Sequence, residues 1–180
     1  IPPAGPFTRH ADPIVIKGEQ ASDFAGAKEA DIRVYASRGG KLQPIPSQMD
    51  ERNQWGEFVV TKGKRVVQDE DAGAYDENDE IVFLTRDLGE RADKAQVPGG
   101  PRKVYEVEVT DPLTSAKAYA YLGMYAGNTP VPSTTDYVQY LEQGEGLARG
   151  INYELGFLKV TSGMDFNHFA ILKAAGGDGT

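Results

Sequence analysis

Two neighbouring stretches decide the fold: Val104-Tyr105-Glu106-Val107-Glu108-Val109 and Ala118-Tyr119-Ala120-Tyr121-Leu122-Gly123-Met124-Tyr125. In the first, Tyr105, Val107 and Val109 alternate strictly with Val104, Glu106 and Glu108. Alternation with a period of two places successive side chains on opposite faces of a strand. In the second, Ala118, Ala120, Leu122 and Met124 share one face, and Tyr119, Tyr121 and Tyr125 the other. Asp111-Pro112 between them is a turn signal, so the pair reads as antiparallel neighbours.

The same grammar extends outward. Pro13-Ile14-Val15-Ile16-Lys17-Gly18 is a short β-branched run closed by glycine, and Asp31-Ile32-Arg33-Val34-Tyr35-Ala36 alternates with Ile32, Val34 and Ala36 inward. Leu42 to Asp50 carries Pro44 and Pro46 and is expected as an edge or irregular extended segment. Trp55 to Thr61 is expected as a strand broken by Gly63, and Ile81-Val82-Phe83-Leu84 as the most buried strand. Further strands are predicted over 136–141, 151–160 and 166–173, with a helical turn or loop over 21–30.

The expected class is all-β: a jelly-roll-like β-sandwich of about ten short antiparallel strands joined by long loops. Its expected core includes Ile14, Val15, Ile32, Val34, Phe58, Ile81, Phe83, Val107 and Leu122. The domain reading is an extended Pro-rich arm over 1–11, one sandwich domain over 12–173, and a flexible Gly-rich tail over 174–180. The polar connection Asp87 to Pro101 is the candidate boundary or exposed excursion.

Composition narrows the functions. Net charge is −8, and the 19 Lys and Arg residues form no stripe, so no nucleic-acid partner is expected. The chain has no cysteine, which removes disulfides, thiolate metal sites and Cys nucleophiles. No apolar run reaches the roughly 18 residues of a membrane-spanning helix. A chain that opens Ile1-Pro2-Pro3 without Met is expected to have lost a signal segment, which suggests an extracytoplasmic location. There is no G-x-S-x-G elbow and no phosphate-binding glycine loop; His10 and His168 are isolated in sequence.

Two constellations stand out. Asp69, Asp71, Asp76, Asn78, Asp79 and Glu80 crowd one loop. Ca²⁺ takes six to eight oxygen ligands, so these are the candidate metal ligands and Ca²⁺ the candidate cofactor. The competing reading is a solvated acidic turn. The second constellation is Tyr119, Tyr121 and Tyr125, whose amphipathic rings suit a glycan or a protein partner, or else fill a core.

Three blocks carry a family resemblance. Pro44-Ile45-Pro46-Ser47-Gln48-Met49-Asp50-Glu51 resembles the P-x-Q-x-D-E segment of certain uncharacterised secreted bacterial proteins. Asp76-Glu77-Asn78-Asp79-Glu80-Ile81-Val82-Phe83-Leu84, followed by Asp87-Leu88-Gly89, resembles their D-x-N-D-E strand. Thr110 to Leu113, Tyr119 to Leu122 and Asp136 to Tyr140 resemble a third block. The resemblance spans 12–160 and implies the N-terminal part of a larger extracytoplasmic β-rich protein. It transfers no catalytic residue. The leading expectation is a non-catalytic binding or structural module with a glycan ligand. The alternatives are a filament or surface-assembly subunit joined by strand addition at a sheet edge, and the N-terminal domain of a carbohydrate-active enzyme.

Overall fold

A computed structural model describes residues 6–61, 66–141, 147–150, 153–160 and 163–171. It is all-β and antiparallel, as the alternation predicts. The chain divides into two compact units, Ile1–Thr135 and Asp136–Thr180. The division falls inside the stretch expected as one domain. It follows Pro130, Pro132 and the run Ser133-Thr134-Thr135, which have the composition of a connection. The expected tail over 174–180 and the first residues of the arm lie outside the described residues.

The first unit holds β1 (Pro13–Lys17), β2 (Ile32–Arg38), β3 (Lys41–Pro44), β4 (Gln48–Asp50), β5 (Glu80–Leu84), β6 (Lys103–Thr110) and β7 (Lys117–Met124). They form a three-stranded sheet ordered β1-β5-β4 and a four-stranded sheet ordered β3-β2-β7-β6. β3 and β4 are edge strands of different sheets, so the proline segment between them carries the chain from one sheet to the other. This is where prolines are tolerated, because an edge strand leaves N–H positions unneeded. Short 3-10 turns over Gly18–Phe24 and Glu29–Asp31 occupy the stretch left open between loop and helix.

Both sheets contribute to one core. Ile81 and Phe83 of β5 meet Ile32, Val34 and Ala36 of β2 and Ala118, Ala120 and Leu122 of β7, with Phe24, Tyr75 and Leu88 closing it. Each large side chain removed from water here contributes about 1.5–3 kcal/mol. Phe24 lies edge-on to Tyr105 at 5.2 Å between ring centroids.

Four expectations need correction. Val15 is 40% and Phe58 is 52% exposed; β1 turns Ile14 and Ile16 inward, which sends Val15 out. The stretch 55–61 forms only isolated bridges, Arg52 with Phe58 and Val60 with Val67. The described part of the Pro-rich arm is docked: Phe7 is buried in the core, and the Thr85 hydroxyl donates to the Arg9 carbonyl. Finally, 87–101 is neither a boundary nor a free excursion, because Leu88 and Val97 are buried. Gly89 and Tyr119 exchange backbone hydrogen bonds of 3.0 and 2.9 Å, and the Glu90 N–H donates to the Ser37 carbonyl. A Cβ on Gly89 would lie 2.1 Å from the Ser37 carbonyl oxygen, so this crossing requires glycine.

The second unit is a four-stranded antiparallel sheet ordered β11-β10-β9-β8, built from β8 (Val138–Leu141), β9 (Leu147–Gly150), β10 (Tyr153–Val160) and β11 (Gly163–Ile171). Strand β9 is absent from the sequence expectation; it is short and ends in Arg149-Gly150. The register pairs Tyr140 with Ala148, Ala148 with Leu155, and Leu155 with Phe169. Val138, Tyr140, Tyr153 and Phe169 therefore share one face, and all four are exposed.

Two tests follow from the first unit. The Tyr75 hydroxyl is buried with no hydrogen-bond partner among the described residues. Burial, then the nearby Asp79 charge, raises its pKa. An unpaired buried hydroxyl costs about 1–3 kcal/mol, so Tyr75→Phe is expected to leave stability unchanged or raise it by about 1 kcal/mol in urea denaturation. A clear loss would contradict this packing. In the β6–β7 turn, Asp111 accepts the Leu113 N–H at 2.7 Å and the Thr114 N–H at 3.2 Å. These donors, led by Leu113, hold its carboxyl below the usual carboxylate range. Its stabilisation is thus present above the ordinary Asp value of about 3.9 and is lost as pH falls through the lowered one. Asp111→Asn is expected to flatten the acid limb of the melting temperature against pH; an unchanged limb would rule the turn out as its source.

Candidate functional site

The tyrosines come first. Tyr121 is fully buried and Tyr125 is 4% exposed, whereas Tyr119 stays half-buried. They sit with Tyr35 and Val97 in a second cluster on the face of the β2–β7 sheet opposite the main core. The alternation that made Ala118, Ala120 and Leu122 inward necessarily put the tyrosines here. The segment 89–98 covers them. The Tyr121 hydroxyl accepts the Ala92 N–H at 2.7 Å and has the Ala92 carbonyl within 2.8 Å. The Tyr125 hydroxyl donates to the Pro98 carbonyl at 2.6 Å, so the Tyr35 hydroxyl must be the donor across the 2.8 Å contact between the two rings. Burial raises the pKa of Tyr35, Tyr121 and Tyr125. Tyr119 bonds Glu108 at the surface, and that bond is the first cause of its raised pKa. Two of the three candidate ligand-binding rings are therefore packing elements.

The six acidic-loop residues are brought together only in part. Asp79 is fully buried: one oxygen accepts the Arg52 N–H at 2.9 Å and the other the Asp76 N–H at 3.0 Å. Burial pushes its carboxyl above the usual range, with the two N–H donors opposing that shift. Glu80 pairs with Arg52 at 2.8 Å, Asp76 accepts the Asn78 N–H at 2.9 Å, and Asp69 accepts the Glu70 N–H. Loss of solvent, then the neighbouring charges of Asp76 and Asp69, raises the Asp71 pKa. Among the described residues no group of three or more His, Cys, Asp or Glu side chains could hold a metal ion. In this geometry Asp79 and Glu80 fasten the segment after β4 to the start of β5.

A cleft lies elsewhere in the same unit. It has a volume of about 400 Å³ and is lined by Arg38, Gln43, Ile45 and Asp87, by the prolines 44, 46 and 132, and by Ser133, Thr134 and Thr135. Arg38 ends β2, and Asp87 ends the 3-10 turn Thr85–Asp87 that follows β5. Nη2 of Arg38 reaches the Arg86 carbonyl at 3.3 Å, the Asp87 carbonyl at 3.2 Å and the Asp87 carboxylate at 3.6 Å. The Asp87 side chain is only 1% exposed, against 22% for Arg38, so the guanidinium neutralises a buried carboxylate while its rim meets solvent. Chemically the cleft offers a fixed cation edge, an amide and three consecutive hydroxyls over apolar walls.

Arg38 is not among the candidate residues of the sequence analysis. One signal was present: Arg38 continues the inward phase of Ile32, Val34 and Ala36, and a charge in phase with a core face needs a partner. Asp87, Ser133, Thr134 and Thr135 carried no local signal, because their convergence is long-range. No family model, curated protein or solved structure matches the chain.

The tyrosine assignment is testable by removing single oxygens. Tyr125→Phe strands the Pro98 carbonyl and the Tyr35 hydroxyl in a buried cluster, and is expected to cost about 1–3 kcal/mol. Tyr119→Phe loses only a surface bond and is expected to cost under about 0.5 kcal/mol. Chemical denaturation of both variants checks the ranking; equal costs would contradict it.

Proposed function

We propose that the unit Ile1–Thr135 is a non-catalytic, extracytoplasmic glycan-binding module that holds a short neutral saccharide in the cleft beside Arg38. The observation that carries this reading is the pairing of Arg38 with buried Asp87 at a cleft lined by Gln43 and the hydroxyls of residues 133–135. A saccharide presents hydroxyls that both donate and accept, and ring C–H groups that lie against apolar walls. The cleft supplies both kinds of partner. Its volume lies within the 300–1,000 Å³ usual for small-ligand sites.

Charge selects the neutral class. The Arg38–Asp87 pair contributes no net charge, and the chain as a whole carries −8, which repels polyanions at long range. The extracytoplasmic part rests on the resemblance of the Pro44–Glu51 and Asp76–Leu84 stretches to secreted proteins.

Gln43 and Thr134 are exposed, so replacing either leaves the packing intact. In calorimetric titration with neutral oligosaccharides, Gln43→Ala and Thr134→Ala are each expected to weaken binding about fivefold, the worth of about one hydrogen bond. Binding equal to the parent chain in both variants, or no binding by any neutral oligosaccharide, would overturn the proposal.

A further inference from the structure

The chain contains one tryptophan, and it is displayed. Trp55 is 74% exposed, the most exposed aromatic side chain among the described residues. The turn beneath it is built rather than loose. Asn53 is 2% exposed; its Oδ1 accepts the N–H groups of Trp55 and Glu57, each at 3.0 Å. Its own N–H donates to the Glu57 carbonyl at 3.0 Å, and its carbonyl accepts the Gly56 N–H at 2.7 Å. Gly56 has φ +75°, a conformation that favours glycine. Arg52 then reaches over the turn to the Gly56 carbonyl at 2.8 Å, while its backbone N–H is held by buried Asp79. The same guanidinium lies 3.8 Å above the Phe58 ring, so the next aromatic is already stacked and Trp55 is not.

A surface loop can shed an exposed indole by relaxing or by carrying a polar residue instead. Here a buried asparagine, a positive-φ glycine and an arginine fix the backbone so that the ring stays out. Rigid presentation of a flat amphipathic ring is how an aromatic anchor lowers the ordering cost of binding. Among the described residues the charged side chains of the turn and its surroundings are Arg52, Glu57 and Glu70, the last accepting from Gln54 at 2.5 Å. The net charge of −8 on the chain disfavours nucleic acids, acidic polysaccharides and anionic lipid surfaces as the partner of this ring.

We propose that Trp55 is a sugar-stacking platform, a second contact point at which a neutral glycan lays one ring against the indole face. The inference rests on the glycan reading above, and it adds a subsite on the Asn53–Glu57 turn, distinct from the cleft-lining residues. A ligand for it is a neutral oligosaccharide with equatorial hydroxyls, since such rings turn axial C–H groups to both faces.

Because the indole is unique, fluorescence excited at the red edge of its absorption, beyond that of tyrosine, reports on Trp55 alone. The probes are cellohexaose, laminarihexaose, xylohexaose and fully acetylated chitohexaose. At least one is expected to give a saturable blue shift in emission and to protect the indole from acrylamide quenching. By calorimetry, Trp55→Ala is expected to weaken that sugar about tenfold and Trp55→Tyr by no more than about threefold. The melting temperature should be unchanged in both, as befits an exposed side chain. Unchanged emission with all four sugars, or full affinity in Trp55→Ala, overturns the inference. The two readings separate cleanly. A sugar sensitive to Gln43→Ala that leaves emission unmoved preserves the cleft and removes the platform. A sugar sensitive to Trp55→Ala and indifferent to Gln43→Ala does the reverse.

Discussion

The first unit depends on strand β7 being covered on both sides. Ala118, Ala120 and Leu122 face the core shared with the three-stranded sheet, and Tyr121 faces a second apolar layer with Tyr35, Tyr125 and Val97. A strand of an antiparallel sheet commonly has one wet face. Here the second face is sealed by a chain segment with little secondary structure, whose backbone groups bond the tyrosine hydroxyls. The alanines allow the core side to pack closely, and the tyrosines supply both bulk and a polar tip where the covering backbone needs partners. The same segment begins at Asp87, whose pairing with Arg38 borders the cleft. Sealing the tyrosine face and shaping the cleft are thus two consequences of one crossing, made feasible by Gly89.

Period-two patterning was readable in β6 and β7, down to which residues share a face, because it is local. It could not say what lies against a face. The polar run from Asp87 to Pro101 reads as exposed because its charged residues after Asp87 do point to water, while Asp87 itself and the few apolar ones, Leu88 and Val97, are buried. Val15 and Phe58 were misplaced for a related reason. A continuous β-branched run gives no phase, and an aromatic in a hairpin can be half-shielded by an arginine instead of a core.

The sites were less legible than the fold. The acidic loop was conspicuous by composition, but its best-buried member, Asp79, is fastened to two backbone N–H groups from different segments. Such contacts depend on a hairpin that sequence does not place. The cleft residues are spread from Arg38 to Thr135 and meet only through the fold. Trp55 was assigned to a strand; its significance lies in Asn53 and Gly56, which hold it outward. In the second unit, by contrast, the shared apolar face of Val138, Tyr140, Tyr153 and Phe169 follows from register once β9 is in place.

Native-state hydrogen exchange tests the central claim most directly, that residues 88–98 are a packed layer on β7. The Gly89 and Ala92 amides, bonded to the Tyr119 carbonyl and the Tyr121 hydroxyl, should exchange only through the opening that frees the Tyr119 and Tyr121 amides of β7. The account predicts closely matched opening free energies for these amides. Rapid exchange at Gly89 and Ala92 while β7 remains protected would contradict it and return the segment to the status of a surface loop.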